Sequence, residues 1–542
     1  MNKSTMKKTK KFHPILFAIF PILIIYSQNI GRLDYDQLLL PILLVSGLSV
    51  GAYYSFRLII KNGNKSAIIV TLILIIIFSY GHIYILLSEV SKDGFDISRN
   101  IFLIPIFTII LGVSIFLIKK IKTELNNATS ILNVISIVLI LVAISNSVLI
   151  TVDGTNCDEN NMIDITCSNK ELFYEKNDFS QYFEEHKFTI SNKVTSPDVY
   201  YIILDEYSRN DVLKQYHNFE NEEFTNFLEN RGFHVAKESF ANYPLSMQSI
   251  PSLMNMRYLD FLSDELGEDV RSYKPLNEKT HGLLPDNQVM KNFKSMGYKI
   301  INFNTHSLHK HEFDLADVNK CDRNVHVLDN RLLDSTLRTT IFGYFIERWD
   351  ENERRNVVTC TFNQLPNIKN DFEDQPIFVW AHLMLPHPPW IFGPNGENVT
   401  PGRPLLVTDN PEYRDSGEIV KIQYLQQLQF ANKKTMEFID KVLDKDESSI
   451  IIIQGDHGSA WDVNWLEPSK EDISQRLRNF DAIYFPDEEK RVGLEDNRTL
   501  VNTFRIIFNS YFSSDYEILD DQMYWAWIGK PYYYENVTEL IN

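Results

Sequence analysis

Ser449-Ile-Ile-Ile-Ile-Gln-Gly-Asp456-His457-Gly458 is the stretch on which the fold turns. Four β-branched residues in a row, bounded by a turn, read as a strand buried on both faces. The flanking glycines let the backbone turn tightly and present an adjacent carboxylate and imidazole to one ion. Asp-His-Gly alone is explained equally well by a turn. Directly after four isoleucines it reads as a site.

Working outward, similar runs recur at Asp198-Val-Tyr-Tyr-Ile-Ile-Leu-Asp205, Tyr298-Lys-Ile-Ile-Asn-Phe303 and Pro376-Ile-Phe-Val-Trp-Ala-His382. Helical patterns over 222–230, 287–296 and 419–443 lie between them. Strands alternating with helices predict an α/β domain with a mainly parallel central sheet. Such sheets bind ligands at the carboxyl ends of their strands. Three of these strands end on residues of metal-ligand type: Asp205, His382, and Asp456 followed by His457. Hard oxygens and imidazoles converging there suit a divalent cation such as zinc or manganese. No cysteine has zinc-finger spacing, so a structural zinc site is not expected.

Two loops add to this pattern. Asn242-Tyr-Pro-Leu-Ser246-Met-Gln-Ser249-Ile-Pro-Ser252 runs from loop residues into an apolar helical pattern, which puts its serines at a helix start. A hydroxyl there can meet a cation and a phosphate together, although N-capping is the commonest use of serine at that position. His382-Leu-Met-Leu-Pro-His387-Pro-Pro brings two imidazoles together on a proline-stiffened loop, suited to metal or substrate phosphate.

The N-terminal part is of another kind. Apolar segments at 12–30, 38–60, 67–90, 101–118 and 131–152 have the length a bilayer demands, roughly 20 residues each. The N-terminal tail carries Lys3, Lys7, Lys8, Lys10 and Lys11; Arg57, Lys61 and Lys65 follow the second segment, and Lys119, Lys120 and Lys122 the fourth. The positive-inside rule then places the N-terminus in the cytoplasm and everything after Val152 outside. The expected organisation is a five-helix transmembrane domain over 1–152, a juxtamembrane linker over 153–196 and an extracytoplasmic domain over 197–542. Cys157, Cys167, Cys321 and Cys360 all fall in the exported part, where disulfides persist. Cys157 and Cys167 are close enough to staple a short loop, leaving Cys321 with Cys360, one of three possible connectivities. A formal charge of −18 argues against nucleic acid as a partner.

The order of strand-end Asp205, Ser246-x-x-Ser249-x-Pro251, His382-x4-His387 and Asp456-His457-Gly458 resembles the alkaline phosphatase/sulfatase superfamily. With the spans before it, the chain resembles the lipid A phosphoethanolamine transferases and lipoteichoic acid synthases. That resemblance implies an alkaline-phosphatase-like catalytic domain in the cytoplasmic (inner) membrane. It implies Ser246 as nucleophile and metal contact, with Asp205, Asp456 and His457 as metal ligands and His382 and His387 binding substrate. Glu206 competes with Asp205, since Arg209 can be spaced from either, and Ser249 is a minor rival nucleophile. The implied reaction moves a phosphoethanolamine or phosphoglycerol group from a membrane phospholipid donor to a cell-surface glycan or lipid acceptor through a phospho-serine. A membrane-held phosphodiesterase or phosphatase is the alternative, and an inactive scaffold the alternative of another class. Relatives commonly carry a further histidine after the Asp-His pair, whereas His457 is the last in this chain. One metal site is therefore expected and a second is not supported. Ser249-Ile-Pro-Ser-Leu253 lacks the arginine of the sulfatase signature, which argues against a sulfatase.

Other polar clusters have ordinary readings. His306, His309 and His311 read as a solvated loop. Tyr424, Gln427 and Asn432 line either the cleft or a solvated helix face. Trp461, Trp465, Trp525 and Trp527 read as packing aromatics.

Overall fold

The computed structural model describes residues 9–541 apart from 31–32, 34, 91–99, 154–195, 272–279, 281–282, 304–312, 314, 322–329, 400–416, 461–462, 492 and 528–529. The 157–167 cysteine pair, the 306–311 histidine cluster, Trp461 and nearly all of the 153–196 linker lie outside the described residues. The chain divides into two compact units. One comprises Met1–Leu172 with Val325–Asp350, and the other Phe173–Asn324 with Glu351–Asn542.

The first unit is built from the membrane helices α1 (His13–Gln28), α2 (Leu39–Ile60), α3 (Gly63–Val90), α4 (Asn100–Lys120) and α5 (Asn126–Asp153). The last four contain stretches long and apolar enough to cross a bilayer. Helix α1 is shorter at 16 residues, about 24 Å of rise against a hydrocarbon core of about 30 Å. Ala18 and Ile22 of α1 are fully buried. Polar groups fasten its start: the Asn133 amide oxygen of α5 accepts from the His13 backbone N–H at 3.1 Å, and His13 Nδ1 meets Thr71 Oγ1 of α3 at 2.6 Å. One of the unsatisfied N–H groups at a helix start is thereby paired inside the bundle.

The second unit is a three-layer α/β domain. The strands of its central sheet are β1 (Val199–Leu204), β2 (Phe233–Val235), β3 (Lys299–Phe303), β4 (Val318–Lys320), β5 (Ile377–Leu383), β6 (Ile450–Gln454) and β7 (Asp481–Tyr484), and Tyr524–Trp527 pairs with Lys530–Asn536 in a separate hairpin. The central sheet runs in the order β2-β7-β6-β1-β5-β3-β4. Pairing is parallel from β6 through β4 and antiparallel where β7 meets β6 and β2. The expected strands are β1, β3, β5 and β6, and the expected helices are Glu222–Asn230, Gln288–Ser295 and Gly417–Leu443. The short strands β2, β4 and β7 have too few residues to show a period.

Both sheet faces are covered, so the central strands are apolar throughout. Tyr200, Ile202 and Leu204 of β1 enter one core, with Leu428, Phe438 and Ile439 of the long helix. Val199, Tyr201 and Ile203 enter the other, with Ile250, Leu253 and Met254 of the Ser246–Met254 helix. Each fully buried isoleucine of β6 contributes roughly 2 kcal/mol through surface removed from water. Cys321, just past β4, is bonded to Cys360 of the Gly343–Gln364 helix across a sequence separation of 39. Closing a loop of that length restricts the unfolded chain by up to about 4 kcal/mol. The double variant Cys321→Ser/Cys360→Ser should therefore unfold at a lower temperature than the oxidised protein in a thermal melt, and reductant should shift the unsubstituted protein the same way.

Candidate metal centre and nucleophile

Strand register assembles the site. Ile203 of β1 lies opposite His382 of β5 on one side and Gln454 of β6 on the other. Asp205 and Asp456 each follow those positions by two residues, so the chain delivers both carboxylates at one level of the sheet. The period of two along a strand also sets the face. Phe378 and Trp380 of β5 and Ile450 and Ile452 of β6 point to the side where the Ser246–Met254 helix packs. His382 and Asp456 continue those series, as Asp205 continues Val199, Tyr201 and Ile203.

Asp205, His382 and Asp456 are buried, with one ligand atom of each within 4.8 Å of the others. His382 Nε2 lies 2.9 Å from Asp205 Oδ2. Asp205 Oδ1 and Asp456 Oδ2 are buried and take part in no hydrogen bond among the described residues. Asp456 Oδ1 accepts the backbone N–H groups of Glu206 and His457, both at 3.1 Å. Burial opposes ionisation of Asp205, but the charge of His387 and the hydrogen bond from His382 hold its carboxyl below the ordinary range. Burial likewise opposes a charge on His382, yet Asp205 lifts it above its usual value.

His457 behaves differently. Burial, then the neighbouring Arg476 charge, lowers it to about 3, so the ring is neutral. Its Nδ1 faces the Gly458 carbonyl at 3.1 Å and must donate, which leaves the lone pair on Nε2. That nitrogen meets Ser246 Oγ at 3.0 Å and Arg476 Nη2 at 3.1 Å. It also lies 3.3 Å from Asp456 Oδ2. A lone pair facing a buried carboxylate oxygen that makes no hydrogen bond is an arrangement a cation relieves. The donor set of Asp205, Asp456, His382 and His457 therefore fits a divalent metal ion.

The expected residues divide as follows. Ser246 is the first residue of its helix and half-buried, with its hydroxyl on His457. Ser249 is buried and donates to the Asp456 carbonyl at 2.6 Å, so its hydroxyl braces the Asp-His turn. Of the two acidic neighbours, Asp205 joins the cluster, while Glu206 accepts from the Ala460 N–H at 2.8 Å and from Arg476 at 3.2 Å. Burial pushes the Glu206 carboxyl up despite those partners. Glu206 adopts a left-handed φ of 63°, uncommon outside glycine, and this turn delivers its N–H to Asp456. Arg209 pairs with Asp211 and so belongs to neither. His387 is tied to the site through its backbone N–H, which donates to the Asp205 carbonyl at 3.1 Å. Gln427 is buried and holds that loop, donating to the His387 carbonyl at 2.8 Å and accepting from the Ile391 N–H at 2.8 Å. Tyr424 donates to the Glu206 carbonyl at 3.0 Å, and Asn432 accepts from Tyr207 at 2.6 Å. These residues support the site from a buried face. Trp465 and Trp525 stack in a satellite core.

Gly455 and Gly458 answer to crowding. Neither has a positive φ. A Cβ on Gly455 would lie 2.4 Å from the Tyr207 carbonyl oxygen, and one on Gly458 2.4 Å from that of Gln475.

Arg476, on the Lys470–Leu477 helix, carries no sequence signal, because its partners are distant along the chain. It is buried and donates to the carbonyls of Pro244 at 2.7 Å and Gly458 at 2.8 Å, besides Glu206 and His457. The guanidinium ties the loop before Ser246 to the turn after Asp456, and its plane lies over Trp465.

Asp205→Asn and Asp456→Asn should each lower zinc or manganese affinity by at least tenfold, measured by isothermal titration of the purified protein. Since Asp205 favours the protonated form of His382, metal uptake should release protons, and the apparent enthalpy should vary with the buffer's ionisation enthalpy. Arg476→Lys keeps a charge but loses the planar fork. It should leave the carbonyls of Pro244 and Gly458 short of donors and lower the midpoint of a thermal melt by several degrees.

No protein-family model matches the chain, and no curated protein matches its sequence. Among solved structures, it is similar to the C-terminal periplasmic domain of EcEptC from Escherichia coli in complex with zinc, with a TM-score of 0.37 and 9% identity over 60% of this chain and 85% of that one. It is also similar to the C-terminal periplasmic domain of phosphoethanolamine transferase EptC from Campylobacter jejuni, with a TM-score of 0.36 and 14% identity over 61% and 95%. A third similar structure is the lipoteichoic acid synthase LtaP from Listeria monocytogenes, with a TM-score of 0.32 and 12% identity over 54% and 66%.

Proposed function

We propose that the protein is a membrane-anchored, divalent-metal-dependent enzyme of the alkaline phosphatase/sulfatase superfamily that transfers a phospho-head group through a covalent phospho-serine on Ser246. In this reading residues 197–542 are the catalytic domain, exposed outside the cytoplasmic membrane, and the N-terminus is cytoplasmic. The observation that carries it is the contact of Ser246 Oγ with the neutral Nε2 of His457, 3.0 Å away and beside the buried carboxylates.

Asp205, Asp456 and His457 would hold the metal, with His382 at its edge. A bound divalent cation there lowers the pKa of a nearby hydroxyl and offsets charge on phosphoryl oxygens. The chain does the rest. The helix start behind Ser246 favours negative charge in front of it, and the His457 lone pair that here meets the Ser246 hydroxyl would turn to the cation. Ser246 Oγ forms a bond to phosphorus, the bond from phosphorus to the diacylglycerol oxygen breaks, and that oxygen leaves with a proton. An acceptor hydroxyl on a surface glycan or lipid then takes the phosphorus from Ser246, which recovers its proton. His387, whose charge favours ionised Asp205, would bind the phosphate. Anchoring in the bilayer places donor and acceptor on the surface the enzyme occupies.

Mass spectrometry of the Ser246 peptide, from protein isolated in its native membrane, tests this directly. An adduct whose mass matches a phospho-head group, lost in Ser246→Ala, is expected. An adduct on Ser249 would contradict the assignment. Release of free head group without a modified acceptor would make the enzyme a hydrolase, and no adduct with metal and phospholipid supplied would remove the covalent mechanism.

A further inference from the structure

The compact unit that holds α1–α5 also contains Val325–Asp350, a segment far along the chain. Its described part begins at Asn330, whose side chain caps the Arg331–Arg338 helix by accepting from the Leu333 N–H at 2.7 Å. Asn330 Nδ2 also donates to the backbone carbonyl of Gln37, just before α2, at 2.8 Å. Farther on, the Thr339 carbonyl accepts from the N–H of Gly81 in α3 at 3.0 Å. A Cβ at Gly81 would lie 2.6 Å from that oxygen, so the approach requires glycine. Ile341 packs against Tyr80 of α3 and against Leu103 and Phe107 in the first two turns of α4.

The next aromatic residues are exposed. Phe342 is 49% and Phe345 59% accessible, directly after a residue packed on membrane helices. Beside them Arg338 is paired with Asp334 and Asp350, so the polar groups are satisfied among themselves. The depth of the segment follows from the helices it touches. Lys119 and Lys120 end α4, and Leu103 precedes them by about 24 Å of helix, most of the way across a hydrocarbon core of about 30 Å. Tyr80 stands at a similar distance along α3 from Lys65. Ile341 therefore docks at the rim of the apolar zone opposite the lysines. Phe342 lies in the turn after the Arg331–Arg338 helix and Phe345 in the first turn of the Gly343–Gln364 helix, and exposed aromatic side chains at that depth partition into the acyl boundary.

We propose that residues 331–345 are an interfacial anchor whose Phe342 and Phe345 insert into the lipid leaflet opposite the lysine-bearing helix ends. The occupant of this surface is phospholipid acyl chain. Helix α4, whose Leu103 and Phe107 receive Ile341, likewise exposes apolar side chains, among them Ile101, Ile106 and Ile109. A second copy of the chain would instead cover the two rings with protein.

The test uses the full chain reconstituted in liposomes containing a phospholipid with a photoactivatable diazirine near the glycerol end of one acyl chain. After irradiation, lipid adducts on Phe342 and Phe345 are expected alongside adducts on α2 and α4. In the double variant Phe342→Asp/Phe345→Asp the adducts on this segment should be lost while those on α2 and α4 persist, which reports an intact bundle. Adducts confined to α1–α5 in the unsubstituted protein, or cross-links joining this segment to a second copy, would overturn the proposal.

Discussion

Two carboxylates buried side by side are the constraint to which the rest of the second unit answers. Asp205 and Asp456 are each 2% exposed, and like charges this close in a poorly polarisable interior repel strongly. Every nearby element acts on that repulsion. His382 hydrogen-bonds one carboxylate, backbone N–H groups of Glu206 and His457 point at the other, and Arg476 supplies a fixed positive charge a few ångströms away. The oxygens left without hydrogen bonds are the ones a cation would take. The site is thus a destabilised arrangement held by its surroundings, as pre-organised centres commonly are.

What holds it is the sheet. Three adjacent parallel strands place their ends together, and burial of both faces fixes their register, because a slip of one residue would exchange the two cores. Beyond the strands, the turns are braced individually. Ser249 grips the Asp456 carbonyl, Gln427 grips the His387 loop, and Arg476 joins the segment before Ser246 to Gly458. Crowding of neighbouring backbones at Gly455 and Gly458 leaves no room for a side chain there. These contacts hold the serine and imidazole within hydrogen-bonding distance.

The membrane unit obeys a different solvent. Its apolar side chains face outward, and the polar ones, His13, Thr71 and Asn133, are turned inward to satisfy one another and the start of α1. The contacts of Gln37 and Gly81 with the 330–341 segment extend the same economy to the rim of the bundle, where backbone groups from a remote part of the chain are paired rather than left bare.

Much of this was legible in the residues themselves. Apolar length marks the membrane helices, and runs such as Ile450–Ile453 read as buried strands, since short β-branched stretches bounded by turns suit a sheet covered on both faces. The strand-end positions of Asp205, His382 and Asp456 follow from the same pattern. The pairing of Cys321 with Cys360 was one of three possible connectivities, and the structure contains it. Tertiary structure alone decided between Asp205 and Glu206, because which of two neighbouring carboxylates faces the cluster depends on a left-handed turn at Glu206. It alone separated Ser246, whose hydroxyl meets His457, from Ser249, whose hydroxyl is committed to a carbonyl. It alone brought in Arg476 and carried residues 330–350 to the membrane helices. Local pattern reports what each residue's immediate neighbours demand, whereas these outcomes rest on contacts between segments far apart in the chain, which only packing brings together.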